Sequence, residues 1–477
     1  MKRDKSSLTY DDFFRSVSDI LEKRSLLIIL FVFSTVFFIF QYTTELSWDF
    51  TVYLMNAKYF LEEINFFEWA RPPLPSFLMS LFSVFGWKVS PIIYIIFTSF
   101  LFLFSSVKLA SSFGFNENLF YLISLSPYVL IYGTFIGTEL LAFSLIELFL
   151  AYFKEGRERI AAIFLGLSTL VRYPNIIFLS LLAFHKKPKK IFVSFLLVGL
   201  IWVPWLTFNY IKSGSPLTSF LDSYALNISN RNNNFYLDFR NFLLIGLLFP
   251  TFILGLSRFE VKNKFHWIFL LIFSLSLFSY LNVPVKVERY LFNFSLPLIF
   301  FSSLYLEGKL NKKMMLMLFI SSLFFSLFLF NLRDYGYGGS GRNLEKIIEG
   351  MEKCRTKSNN WVFLNHLGFT TEPSPWKTKV SEDIGEGVRI LFFKNISDPA
   401  YVQNQTFLSE FPVIKDGDYY ILLGYPDVCL DQIPATKTYI ERFEENTGEK
   451  LSTCEIILGN FICDFMDHNQ NLDISIR

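Results

Sequence analysis

A series of apolar runs separated by short, mostly basic turns constrains this chain more than any other feature. The first is Ser25 to Gln41, and others follow over 91–107, 118–133, 138–153, 159–171, 174–184, 191–209, 241–257, 266–281, 290–306 and 314–330. A soluble core cannot hide so much apolar sequence. Of 477 residues, 52% are hydrophobic, 18% are charged and 60 are Phe, which places the chain among membrane proteins. The expected fold is a polytopic all-α membrane domain over 1–331, of about 11 transmembrane helices. Several runs are shorter than the roughly 20 residues of a straight span, so boundaries around 75–90 and 159–184 are soft.

Charge sets the expected threading. Lys2, Arg3, Lys5, Lys23 and Arg24 precede the first run and hold the N-terminus inside. Lys108, the Lys154-Arg157-Arg159 turn, the Lys186–Lys190 cluster, the Arg258-Lys262-Lys264 loop and Lys309-Lys312-Lys313 would then be cytoplasmic. The loops at 42–90, 134–137, 172–173, 210–240 and 282–289 fall outside, with everything after 331. This alternation requires Pro75 to Phe85 to be an interfacial or re-entrant helix, which its short length favours.

The outer loops carry the chemistry. Asp49 follows the first span and precedes a stretch in which Tyr53, Ala57, Phe60 and Leu61 recur at helical spacing, predicting an amphipathic helix on the surface. Asp49 there is either a helix cap or an acid working in a partly dry cavity. Glu139 opens a later apolar run level with Asp49, as a cap or as the second member of an acid–base or metal pair. Glu147, deeper in that run, is expected to be a buried hydrogen-bonding residue.

Arg71, Arg172, Arg240 and Arg289 all face outward in this threading, with Lys286 and Tyr290 beside the last. Positive charge on that side runs against the usual bias. An anionic ligand at the outer leaflet explains it, since guanidinium and ammonium groups pair with phosphate oxygens. Arg71 alone could also be a snorkelling side chain.

Beyond a Gly-rich linker at 331–341, residues 332–477 are expected to form a small extracytoplasmic α/β domain. It has a helix over Asn343 to Glu352 and strands at Trp361–Leu364, Val388–Phe393, Tyr419–Leu423 and Cys454–Leu458. All four cysteines, Cys354, Cys429, Cys454 and Cys463, lie there. Their spacing suits disulfides in an oxidising space, with three connectivities open, better than zinc. There is no Walker loop, dinucleotide fingerprint or His-Glu-x-x-His helix, so ATP-driven transport by this chain alone is excluded. The Lys186–Lys190 cluster marks topology, not nucleic-acid binding.

Trp48-Asp49 with Tyr53 and Ala57, then Arg71-Pro72-Pro73-Leu74, then Glu139, then Arg289-Tyr290-Leu291 occur in the order and on the membrane side seen in a known group. The arrangement resembles the GT-C superfamily of integral-membrane glycosyltransferases, on the branch of the protein O-mannosyltransferases and aminoarabinose transferases. The likeness covers about residues 20–305. Two departures stand out: Asp49 is followed by Phe50 where the family often has a second acid, and Val171-Arg172 stands where many members have Thr-Lys.

The resemblance implies inverting transfer of a sugar, such as mannose, from a dolichyl- or polyprenyl-phosphate donor to a glycan, lipid or protein acceptor. By that likeness Asp49 is the base and Glu139 orients the acceptor or shares a divalent cation with Asp49. Arg289 and Arg172, with either Lys286 or Arg71, would hold the lipid phosphate. The alternative is a polyprenyl-linked sugar flippase, which would call for polar residues through the bundle and an internal repeat.

Overall fold

The computed structural model describes residues 10–44, 47–64, 66–184, 187–228, 246, 248–282, 288–332, 354–367, 369, 371–396, 399–430, 437–441 and 444. Arg240, Lys286, the helix expected over 343–352, the strand expected over 454–458, Cys454 and Cys463 lie outside them.

The chain opens with α1 (Tyr10–Thr44), α2 (Trp48–Phe60), α3 (Pro73–Phe82), α4 (Ser90–Phe113), α5 (Glu117–Ser124) and α6 (Pro127–Tyr132). There follow α7 (Glu139–Lys154), α8 (Glu158–Val171), a 3-10 helix over Tyr173–Phe184, α9 (Pro188–Ser213) and α10 (Thr218–Ile228). Helices Leu248–Leu256, Lys264–Asn282, Ser295–Leu306 and Lys312–Leu332 complete the bundle.

Among the described residues five helices are long and apolar enough to cross a membrane: Ser25–Thr44, Ser90–Phe113, Pro188–Ser213, Lys264–Leu281 and Lys312–Asn331. Among the described residues the other expected spans form shorter helices, and proline supplies part of the cause. Pro127 separates α5 from α6, and Pro174 follows the end of α8, because the ring removes a donor and clashes with the preceding turn. The Pro75–Phe85 run is short as expected: α3 passes into a 3-10 turn over Ser83–Phe85, with Phe77, Leu81, Val84 and Phe85 exposed.

α7 is the centre of the bundle. Every side chain from Glu139 to Ala151 is buried, and α7 packs on α4 and α8, with α8 in turn on α9. Gly255 permits the close approach of helix Leu248–Leu256 to Ser295–Leu306, since a Cβ there would lie 2.0 Å from the Phe301 carbonyl oxygen. Glu147 is fully buried and accepts hydrogen bonds from Ser105 Oγ at 2.6 Å and Ser106 Oγ at 2.9 Å. The two hydroxyls satisfy it as a structural group.

The two ends of the bundle differ chemically. At one end Lys108 pairs with Glu155, and the Lys154 ammonium lies 4.9 Å from the Phe113 ring and 4.5 Å from the Phe265 ring. Glu139 opens α7 and Lys154 closes it, about 22 Å apart at helical rise. The basic turns and the candidate site are therefore separated in space.

The C-terminal region has a mixed five-stranded sheet in the order β2-β1-β3-β5-β4: β1 Thr356–Ser358, β2 Glu372–Pro373, β3 Arg389–Phe393, β4 Val413–Asp416 and β5 Tyr420–Leu423. β2, β1 and β3 are parallel, while β3, β5 and β4 are antiparallel. Two expected strands appear as β3 and β5, but Trp361–Leu364 is helical, part of Trp361–His366. A continuous apolar run cannot by itself distinguish a strand from a buried helix. Here Trp361 and Val362 face α2 while Phe363 and Leu364 pack with sheet residues such as Leu391 and Phe393.

Cys354 and Cys429 form a disulfide across 75 residues. Closing a loop of that length removes unfolded-state entropy worth about 4 kcal/mol. Replacing both by Ser should therefore speed amide exchange in β3 strongly while leaving exchange in α4 and α7 unchanged. Unaltered β3 protection would show that the sheet does not depend on the bond.

Candidate active site

α2 is capped by Ser47, whose hydroxyl accepts from Phe50 N at 3.5 Å and whose carbonyl accepts from Thr51 N at 3.0 Å. Of the two readings of Asp49, the cap falls to Ser47 instead, and the Asp49 carboxylate is left for another role. The helix is not a surface helix either. Every residue from Phe50 to Ala57 is buried, because Trp361 and Val362 cover the side turned away from the bundle.

Asp49 lies between two guanidinium groups. Arg71 Nη1 is 2.7 Å from Oδ1, and Arg289 Nη1 donates to Oδ2. Burial alone would push this carboxyl upward, but Arg289 and Arg71 outweigh it and hold it well below the usual carboxylate range.

Arg71 is positioned by a polar clamp behind it. Asn56 Nδ2 donates to the Glu68 carbonyl at 3.0 Å, and Glu68 N donates to Asn56 Oδ1 at 2.9 Å, which fastens the Phe66–Arg71 turn to α2. The Arg71 guanidinium carbon lies 5.9 Å from the Tyr53 ring centre. Its Nε is buried with no hydrogen-bond partner among the described residues.

The second carboxylate is Glu139, only 2% exposed, at the first position of α7. Thr138 Oγ1 donates to its Oε2 at 3.0 Å, and Arg172 Nη1 is 3.4 Å from Oε1. The turn before it is fixed by Gly137, whose φ is +94° and whose added Cβ would meet the Phe50 ring at 3.1 Å. Tyr94 Oη donates to the Gly137 carbonyl. Arg172 ends α8 in an extended conformation, φ −145° and ψ 112°. Its carbonyl accepts from Asn175 N at 3.0 Å.

Arg289 stands on a 3-10 helix over Glu288–Phe294, with the Tyr290 ring 5.3 Å from its guanidinium carbon. Asn293 Nδ2 donates to Asn175 Oδ1 at 2.7 Å. That bond ties the segment carrying Arg289 to the one carrying Arg172.

These groups line one cavity of about 320 Å³, at the lower end of the range for small-ligand sites. Asp49, Arg71, Glu139, Arg172, Arg289 and Tyr290 all border it. Three guanidinium groups against two carboxylates leave one net positive charge among the described lining residues, 3 − 2 = 1. Tyr53, Thr138, Tyr173, Ser223 and Leu226 also border the cavity and were not singled out from sequence as site residues. Tyr53 had a usable signal, four residues after Asp49 and hence on the same helix face. Ser223 and Leu226 come from α10, where the sequence offers only a polar loop.

The donor set does not define a metal centre. Each carboxylate already has a guanidinium partner, and among the described residues no cluster of three or more His, Cys, Asp and Glu could hold an ion.

Comparison with known proteins gives no match to any protein-family model and none to any curated protein sequence. Among solved structures, the chain shares the fold of ArnT from Cupriavidus metallidurans. With ArnT bound to undecaprenyl phosphate the TM-score is 0.57 at 8% identity, covering 85% of this chain and 98% of that one. With ArnT in the apo state the TM-score and identity are the same, covering 86% and 98%.

Proposed function

We propose that the cavity transfers a sugar, with inversion at its anomeric carbon, from a polyprenyl-phosphate donor to an acceptor hydroxyl at the extracytoplasmic membrane face. The observation that carries this is the convergence of Arg71, Arg172 and Arg289 on a cavity that also holds Asp49 and Glu139. Support comes from the sequence resemblance to GT-C glycosyltransferases and from the shared fold with an ArnT that was crystallised with undecaprenyl phosphate. In this proposal the N-terminus is cytoplasmic and the C-terminal domain extracytoplasmic. Mannose is one donor sugar that fits, and the acceptor is a glycan, lipid or protein.

The chemistry follows from the charges. The acceptor oxygen attacks the anomeric carbon, the bond from that carbon to the phosphate oxygen breaks, and its electron pair leaves on the phosphate. Arg71 and Arg289 offset the charge that develops there. The acceptor proton passes to Asp49, while Glu139, held by Arg172 and Thr138, orients the acceptor.

Asp49 clamped by two arginines is a weak base. A donor phosphate competes for the same guanidinium groups and loosens that hold, so Asp49 gains basicity when the donor is bound. Accordingly kcat/KM, which reports the free enzyme, should show no acid limb from Asp49 between pH 5 and 8. An acid limb in kcat alone is expected as pH falls toward the loosened carboxyl.

The test is an assay of the purified protein with a panel of polyprenyl-phosphate sugars, with the product anomer read by NMR. Inverted product supports the proposal. Retained configuration, or no transfer from any donor while polyprenyl-phosphate sugars cross vesicles, would overturn it in favour of a flippase.

A further inference from the structure

The outer face of α2 is not solvated. Trp48, one residue before Asp49, has its ring centre 5.4 Å from that of Trp361 and 5.9 Å from that of Phe363, edge to face in both cases. Behind it, Val52 and Met55 of α2 and Phe66 of the following turn form one buried cluster with Trp361 and Val362. Phe66 and Trp361 ring centres are 4.6 Å apart. The same two pieces of chain, α2 and the turn after it, carry Asp49 and Arg71.

The short helix Trp361–His366 is itself anchored to the C-terminal sheet. Asn359 Nδ2 donates to the Phe393 carbonyl at 3.1 Å and Phe393 N donates to Asn359 Oδ1 at 2.8 Å. Asn365 Nδ2 donates to the Thr371 carbonyl at 2.7 Å. The sheet therefore fixes a helix whose aromatic residues back the first turn of α2.

We propose that Trp361 is a positioning residue for Asp49. In this role the C-terminal domain serves as the rigid backing that holds the catalytic wall of the membrane cavity. Trp361 is not among the residues that line the cavity; it meets α2 and the turn after it through Trp48, Val52, Met55 and Phe66. Aromatic edge contacts of this kind contribute beyond the area they bury. Displacement of a catalytic group by about 1 Å can lower rate 10²-fold. The inference rests on the sugar-transfer proposal for its kinetic consequence but not for its structural one.

The experiment compares full-length wild type with Trp361→Ala, Trp361→Phe and, as a control away from α2, Asp416→Asn, which removes the exposed Lys394–Asp416 pair. Amide exchange across 50–56 is read together with kcat, donor KM and formation of the Cys354–Cys429 bond. Trp361→Ala should raise exchange in α2 by about tenfold or more and lower kcat by about 10²-fold, with donor KM within about threefold and the disulfide formed. Trp361→Phe should restore most of both, and Asp416→Asn should change neither.

Unchanged exchange across 50–56 in Trp361→Ala overturns the inference whether or not the protein transfers sugar. A faster exchange with kcat unaltered, or an equal loss in Asp416→Asn, also overturns it. Absence of transfer in wild type would count against the sugar-transfer proposal alone, because the exchange comparison still decides whether Trp361 holds α2. Loss of the disulfide in Trp361→Ala would assign the residue to folding of the sheet and likewise reject the positioning role, with Trp361→Phe as the folded check.

Discussion

Asp49→Asn should lower sugar transfer by about 10² to 10⁴-fold, the usual contribution of a positioned acid or base, without weakening donor binding. The amide keeps the shape of the carboxylate but cannot take the acceptor proton. It also stops competing for Arg71 and Arg289, which grip Asp49 from both oxygens. Affinity for polyprenyl phosphate should therefore stay level or rise. Single-turnover transfer and equilibrium binding of the lipid phosphate, measured on the same preparation, separate the two effects. Transfer within tenfold of wild type would remove Asp49 from the role of base, and a drop in lipid-phosphate affinity would contradict the competition.

The sign of the accompanying stability change follows from the same pair of contacts. The folded Asp49 carboxyl sits below its unfolded value of about 3.9. Its charge thus contributes to folding at all pH values above that, and the contribution disappears only as pH falls through the depressed value. At neutral pH the amide leaves two guanidinium groups without their anion, so Asp49→Asn should also lower thermal stability.

Why residues that border one cavity could be grouped from sequence is a matter of geometry. Asp49, Glu139, Arg172 and Arg289 each sit at the end of an apolar run, and run ends that the charge pattern assigns to one side are expected near a common plane. Charge mapping alone therefore gathers them at one mouth. The pairing within the mouth was not legible, because it depends on local turns: Asn56 gripping the Glu68 backbone aims Arg71 at Asp49, and Gly137 aims Glu139 at Arg172. Periodicity predicted α2 as a helix but placed it on the surface. Its covering residues, Trp361 and Val362, lie some 300 positions later, in a run that looks like a strand when its neighbours are unknown. The length of each span was poorly legible for a related reason. Pro127 breaks the 118–133 run, which composition alone treats as continuous.

The arginines should divide by function when they are removed one at a time. Arg289→Ala should weaken polyprenyl-phosphate binding by at least about 30-fold, the lower end expected for truncating one member of a buried, hydrogen-bonded charge pair. Arg289→Lys should recover only part of it, because a point charge cannot make the fork that Arg offers to phosphate oxygens. Arg172→Ala acts differently. Its partner Glu139 is almost fully enclosed, so losing the guanidinium strands a buried carboxylate beside one hydroxyl. The dominant effect there should be lower thermal stability, rescued in part by Glu139→Gln in the same chain, with lipid-phosphate affinity changed less than in Arg289→Ala. Binding of polyprenyl phosphate measured against polyprenol, which lacks the anion, isolates the charge-dependent part. If Arg289→Ala binds the phosphate within threefold of wild type while still discriminating against polyprenol, the phosphate is held elsewhere in the cavity. The clamp on Asp49 would then serve to fix α2, not to recognise the donor.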